Sequence, residues 1–443
     1  MPEGGAIATA GAACRPGRPI VIATLGTQGD VRPIVALGRG LQQRGHVVRI
    51  LTSENFASLV TANGLAFAPL NGDHQRMLQR SPISSRQSSL AISRMFREHL
   101  AQWSPDWARQ GRAACADAGL VIGVGTASLL AAALGEALQI PVVHAQLQPI
   151  TPSRHVPLMV RPQWHLPGPL QVGIQTAMRM GGWQVLRHAI DETVRPQLGL
   201  RPYGWRGPNF ATARVLYGYS EHLCPRPPDW PARVQVCGFW SLPQPRWEPP
   251  AALQAFLDAG PPPVYVGFGS MIAADAERLT ETVKAALRLT GQRALLAAGW
   301  GGLAAAGDPP SQQFFTLDQV PHDWLFPRVA VAVHHGGAGT SAAALTAGIP
   351  SVVVPFGYDQ RFWGHCLAQR GVAPPVVDHA GLQPEALAQA LRQASAPAMR
   401  MAAQALGQRL REEDGVGTAV AQLVRWGLLA EAGALAPDVA MAH

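Results

Sequence analysis

Short, wholly apolar runs alternate along this chain with longer segments whose apolar residues recur every three or four positions. The run IVIATL (20–25) is followed by GTQGDVRP and then by Ile34, Leu37 and Leu41, which share one side of a helix that Gly45 ends. HVVRILT (46–52) reads as the next strand, and this strand-loop-helix-strand order is the pattern of a doubly wound α/β domain. The pattern recurs at LVIGV (120–124), an Ala/Leu-rich helix, Pro141 and PVVHAQL. Residues 152–210 break the rhythm. They are rich in Pro, Arg, Trp and Met, with one periodic helix at 170–195, and they suit either a cover over a pocket or an irregular surface excursion.

GFWSLPQPRWEPP (238–250) carries four prolines and reads as a linker, followed by one short helical pattern and then AGPPP (259–263). Beyond it the rhythm resumes: strand VYVGFGS (264–270), helix 276–290, strand RALLAAG (293–299), strand VAVAV (329–333), helix 340–347 and strand SVVVPF (351–356). The expected organisation is a flexible tail at 1–18, a first domain at 19–237 and a linker at 238–262. A second domain follows at 263–420, with a final helix and tail (421–443) packing back on the first.

Composition narrows the class. Hydrophobic residues make up 47% and charged residues 14%, which describes a globular chain with large buried surfaces. The formal charge is +8 and Lys284 is the only lysine, so the positive side is carried by arginine. No arginine stripe interleaves with aromatics, so a nucleic-acid partner is not expected, whereas anionic donors or peripheral contact with membrane lipids stay open. Five scattered cysteines form no zinc spacing or disulfide framework. The start MPEGGAIATAGAACRPGRP has an acid and no base before its weakly apolar part, unlike a secretory signal. The longest apolar run, from Leu120, is interrupted short of the roughly 20 residues a bilayer span needs, so the expected location is cytoplasmic.

The stretch AVHHGGAGTS (332–341) concentrates the candidate chemistry. A strand runs into glycines 336, 337 and 339 and then a helix, which aims free backbone N–H groups at whatever sits above the strand end. With His335 and Thr340 added, this is a cradle for a diphosphate. Zinc binding by His334 and His335 is disfavoured because adjacent strand residues point to opposite faces. A dinucleotide turn needs a different glycine pattern, although Asp359 sits near the distance at which such a turn keeps its acid. A purely structural role, with His335 capping a turn, also fits the turn taken alone. Downstream, VVVPFGYDQRFWG (352–364) presents Asp359 and Gln360 in a loop; a carboxylate beside an amide suits the hydroxyls of a sugar.

VPHDWLFPRVAVAVHHGGAGTSAAALTAGIPSVVVPFGYDQRFWG (320–364) resembles the donor-binding signature of family 1 glycosyltransferases, in the branch of sterol and glycopeptide-antibiotic transferases. GTQGDVRPIVALGRGLQQRGHVVRILT (26–52) is similar to that branch's opening motif, while 150–235 matches poorly. The resemblance implies the GT-B fold, two Rossmann-like domains facing across a cleft. It further implies that Ser270, His335, Gly337, Ala338, Gly339 and Thr340 hold the donor diphosphate and that Asp359 and Gln360 hold the sugar. The Val320 backbone would meet the base and Trp300 the nucleoside, although the GW at 299–300 suits a core position equally well. On the acceptor side the candidates are Gln28, Gly29, His144 and Trp164, with Trp183 and Met180 as further pocket-lining positions; a satisfied core position is the competing reading for His144, and helical core or surface packing for Trp164, Trp183 and Met180.

Asp30 is the candidate base. In position it also suits a helix N-cap, with Pro33 in the first turn. A helix start lowers a carboxylate's pKa whereas burial under an apolar acceptor raises it. The expected activity is metal-independent, inverting transfer of a hexose from a UDP- or dTDP-sugar to a hydroxyl of an apolar small molecule or lipid, with no cofactor and no D-x-D triplet. A silent sugar-nucleotide-binding helper and an NAD(P)-dependent oxidoreductase are the alternatives.

Overall fold

In the computed structural model the described residues are 17–80, 89–243, 247–269, 276–297, 312–318, 320–357 and 359–430. The expected tail at 1–18 lies outside them except for Gly17 and Arg18. The first sheet has the strands β1 (Ile20–Thr24), β2 (Val48–Thr52), β3 (Ala66–Pro69), β4 (Leu120–Val124), β5 (Val142–Gln146), β6 (Val215–Tyr217) and β7 (Val234–Val236), in the order β3-β2-β1-β4-β5-β6-β7. The second has β8 (Val264–Gly267), β9 (Ala294–Ala297), β10 (Phe314–Leu317), β11 (Val331–His334) and β12 (Ser351–Val353), in the order β10-β9-β8-β11-β12. All pairings are parallel. Parallel sheets are covered on both faces, which explains the unalternating runs: Ile20 and Ile22 enter one core while Val21 and Ala23 enter the other.

Each sheet carries a core on either side, and a further apolar cluster joins the domains. In it Tyr217, Tyr219 and Cys224 of the first meet Phe362, Trp363 and Cys366 of the second. Tyr219 meets Trp363 edge-on at 5.6 Å between ring centroids, and Arg370 Nε donates to the Leu223 carbonyl at 3.0 Å. Glu413 accepts from Ser220 Oγ at 2.9 Å at the point where the chain recrosses. The helix Gly415–Arg425 then packs against the helix Gln28–Gln42, so the return to the first domain begins ahead of residue 421.

Several boundaries differ from the sequence pattern. The helix expected at 340–347 starts at Ala338 with Gly337 as its N-cap, because Gly337 is extended and can end the turn without a side chain. The strand expected at 351–356 ends at Val353, before Pro355. The helix expected at 170–195 runs Gly168–Arg187 and passes into a π-helical segment, His188–Val194, where Asp191 accepts from the backbone N–H groups of Tyr203 and Gly204.

Candidate functional site

The loops bearing the candidate residues leave the sheets where strand order reverses. β1 lies between β2 and β4, and β8 between β9 and β11. Open α/β sheets hold ligands in the crevices these reversals create, at the carboxyl ends of the strands. Residues 25–30 follow β1, Phe268 and Gly269 follow β8, and His335 to Thr340 follow β11.

Asp30 is not the N-cap. That position belongs to Thr27, whose backbone is extended, and Asp30 is the third residue of the helix Gln28–Gln42, with Pro33 deeper inside it. The carboxylate reaches back over the turn, where Oδ2 accepts from Thr27 N at 2.7 Å and from Thr27 Oγ1 at 3.1 Å. Gly26 makes room for it: with φ of +154°, a Cβ there would lie 2.2 Å from Asp30 Oδ2. Burial raises the Asp30 pKa above the ordinary carboxylate value, and the two bonds from Thr27 oppose it without cancelling it. Gln28 and Gly29 are exposed beside it.

On the facing domain, the first turn of the helix Ala338–Ala347 leaves the N–H groups of Ala338, Gly339 and Thr340 outside its internal ladder. A Cβ at Gly339 would meet nothing within 4 Å, so this turn opens on free space. Gly336, at φ +88°, is held close: a Cβ would come within 2.7 Å of Val353 Cγ1 and 2.8 Å of the Gln360 carbonyl. His335 lies half-buried over the turn, its Nε2 2.4 Å from where a Gly337 Cβ would stand, and its Nδ1 has no partner among the described residues. Burial and the neighbouring His322 lower its pKa to about 4, so the ring is neutral at pH 7.

His334 is fully buried on β11, and its Nδ1 accepts from Gly336 N at 3.0 Å. Its ring stands at 84° to that of His335, so the two face different surroundings. Its pKa is also driven well down, by burial first and then by His335 and His322.

Asp359 and Gln360 begin the helix Gln360–Gln369, with Asp359 as N-cap. Gln360 is buried, and its Oε1 is taken by the backbone N–H groups of Phe356 (2.7 Å) and Gly357 (3.1 Å). Its side-chain carbonyl oxygen therefore shapes the loop. Asp359 Oδ2 accepts from Trp363 Nε1 at 2.7 Å, yet its pKa is raised to about 6. Burial is the main cause, and the charge of Asp30 pushes the same way, which places the two carboxylates in electrostatic reach across the cleft.

Val320 is half-buried against the second domain's core. Ser270 and Trp300 lie outside the described residues. His144 is 3% exposed, edge-on to Phe210 at 5.3 Å, with neither ring nitrogen partnered among the described residues and a pKa lowered to about 4 by burial. Trp164 is 51% exposed on an outer turn rather than enclosed. Trp183 is a core residue, and its Nε1 donates to the Gly204 carbonyl at 3.0 Å.

Sequence reasoning passed over four contributors. Trp363 anchors Asp359, and Gly26 admits Asp30. His322 stacks on Phe326 at 4.4 Å and meets Tyr265 Oη at 3.3 Å behind the cradle, and its lowered pKa registers Arg32 on the opposite domain. All lie within the quoted motifs, but their roles depend on contacts between segments far apart in the chain.

Two doubly wound domains, with a desolvated carboxylate on the first in electrostatic reach of Asp359 on the second, fit the GT-B class. A family model for the glycosyltransferase family 28 N-terminal domain matches residues 20–157, and one for the erythromycin biosynthesis protein CIII-like C-terminal domain matches 310–422. Two sterol 3-beta-glucosyltransferases of Arabidopsis thaliana are 34% and 31% identical over 91% and 90% of this chain, which spans 65% and 67% of their lengths. The crystal structure of the glycotransferase of kitacinnamycin superposes with a TM-score of 0.66 at 21% identity, covering 94% of this chain and 100% of that one. The chain belongs to the GT-B glycosyltransferases of family 1.

Proposed function

We infer that this protein transfers a hexose, with inversion, from a UDP- or dTDP-sugar to a hydroxyl of an apolar acceptor such as a sterol or a natural-product aglycone. The sterol-directed relatives support the acceptor class. The observation that carries the mechanism is the placement of Asp30. Its desolvated carboxylate lies within electrostatic reach of Asp359, which belongs to the same domain as the free N–H groups of Ala338, Gly339 and Thr340.

The donor diphosphate settles on the N–H groups of that first turn, where the helix dipole favours negative charge. His335 donates a ring N–H, and a nearby diphosphate raises its pKa toward protonation, so it stabilises the leaving group as the bond to the anomeric carbon breaks. Asp359 and the Gln360 amide hold sugar hydroxyls. The acceptor hydroxyl approaches Asp30. With Oδ2 held by Thr27, Oδ1 takes the proton as the new C–O bond forms on the face opposite the departing diphosphate. The proton passes from the acceptor to Asp30, the electron pair of the broken bond leaves with the nucleoside diphosphate, and the anomeric configuration inverts. No metal is needed if the helix start and His335 meet the developing charge.

Mass spectrometry of products from a matrix of donors and acceptors, repeated with Asp30→Asn, tests this reading. The variant should bind UDP or dTDP as the wild type does and lose transfer by about a hundredfold or more. Near-normal turnover by the variant would remove Asp30 from the mechanism. Wild-type binding of NAD with indifference to UDP and dTDP would remove the reading itself.

A further inference from the structure

We propose that the outer face of the first domain, formed by the helix Gly168–Arg187 with the loop before it and the flanking helix Ser89–Trp103, docks on an anionic lipid bilayer. Between Glu136 and Asp191 the chain has no acidic residue, whereas it carries Arg154, Arg161, Arg179 and Arg187. Glu192 pairs with Arg187 and Asp229 accepts from Ser153 Oγ and Arg154 N at its edges, so the face is basic in excess rather than purely basic, and that excess coincides with exposed apolar side chains. Val160, Trp164, Leu170 and Met178 are 39–53% exposed, and Leu90, at the start of the flanking helix, is 83% exposed. Exposed residues on the helix Gly168–Arg187 include Leu170, Gly173, Ala177, Met178 and Gly181, with Arg179 as the cation among them.

The loop and helix form one body. The side-chain amides of Gln171 and Gln175 donate to the Val156 carbonyl at 2.7 and 2.8 Å, and Arg154 packs over Gly168. The Arg161 guanidinium lies 5.8 Å from the Trp164 ring centroid, an aromatic-cation pair at the rim. The helix Ser89–Trp103 packs alongside and exposes Arg94 and Arg97 together with one acid, Glu98. Among the described residues no helix is long and apolar enough to cross a membrane, so the face suits contact with one leaflet. Apolar side chains entering the headgroup boundary and arginines pairing with lipid phosphates are the two components of such interfacial binding.

The face borders the cleft. His165 lies close enough to His365, on the helix that Asp359 caps, to lower its pKa, and Arg179 stands 5.8 Å over the ring of Phe210, the neighbour of His144. Docking would bring the acceptor side of the cleft to the lipid surface. That consequence for acceptor supply rests on the function proposed above; the docking itself does not.

Co-sedimentation of the full chain with vesicles tests the docking without any acceptor. Binding is expected to phosphatidylcholine vesicles containing phosphatidylglycerol, to weaken with salt, and to be far weaker to phosphatidylcholine alone. Arg94→Glu and Arg97→Glu should each weaken it about fivefold, and Leu170→Glu with Met178→Glu about tenfold or more. The latter pair should keep the wild-type unfolding midpoint and affinity for UDP or dTDP, because both side chains point outward. Failure to sediment with phosphatidylglycerol vesicles, or undiminished binding by the Leu170/Met178 variant, would overturn the proposal. So would a wild-type dimer in solution that this variant dissociates without any effect on lipid.

Discussion

Asp359 is held in its charged form at a cost that folding must bear. Its pKa rises from 3.8 to about 6, a shift of roughly two units, or about 3 kcal/mol of bias against the carboxylate at neutral pH. Asp359→Asn removes that charge and keeps an oxygen for Trp363 Nε1, but adds an amide N–H₂ that costs about 1–2 kcal/mol if it finds no acceptor. The variant should therefore be about 1–2 kcal/mol more stable than the wild type near neutral pH. The sign has a pH signature. A carboxyl whose folded pKa is raised binds its proton earlier in the folded state, so the wild type gains stability as pH falls from about 6 toward 3.8, and the advantage of the variant shrinks over the same window. His322, His334 and His335, whose pKa values are lowered, act in the opposite direction, but they do so in both proteins and drop out of the difference. Urea unfolding of the two proteins across this range, without ligand, measures it. A variant less stable than the wild type near neutral pH, or a difference that does not change with pH, would refute the argument. The same substitution should weaken donor binding about tenfold or more, the usual exchange of stability for a strained site.

Gly26→Ala should lower kcat about a hundredfold while leaving the donor KM within about twofold, since the three atoms nearest the new Cβ all belong to Asp30, whose carboxylate it displaces; steady-state kinetics with both substrates varied would show it. His335→Ala should raise the donor KM about tenfold or more. By contrast, His334→Ala should destabilise the protein by about 1–3 kcal/mol through the lost partner of Gly336 N, with a smaller effect on donor KM; calorimetry and kinetics on the pair separate the two roles. Removing the charge of Asp30 should let Asp359 titrate below about 6, so the acid limb of UDP or dTDP-sugar binding should move to lower pH in Asp30→Asn, read by isothermal titration.

The doubly wound pattern and the glycine turn were legible from the chain because each is local. Buried parallel strands need continuous apolar runs, helices need a repeat near 3.6, and a close anion approach needs glycine. Asp30 was legible as a residue but not in its local role. Whether it caps the helix or reaches back to a cap turns on the backbone of Thr27, and both arrangements satisfy the same letters. Gln360 is a comparable case: the sequence offers an amide beside a carboxylate, while the fold commits its oxygen to Phe356 and Gly357.

What the sequence determined alone was the parts list: two α/β halves, a glycine turn led by His335 at a helix start, an Asp-Gln pair at 359–360 and a carboxylate at the start of the first helix. Only the tertiary structure set these against one another. The reversals of strand order open both loops on one cleft, the apolar contact of Tyr219 with Trp363 joins the domains, and the shared cleft keeps Asp30 and Asp359 dry enough to raise both pKa values. Desolvation and electrostatic coupling depend on what surrounds a group in space, and two carboxylates more than 300 residues apart become neighbours only once the chain has folded.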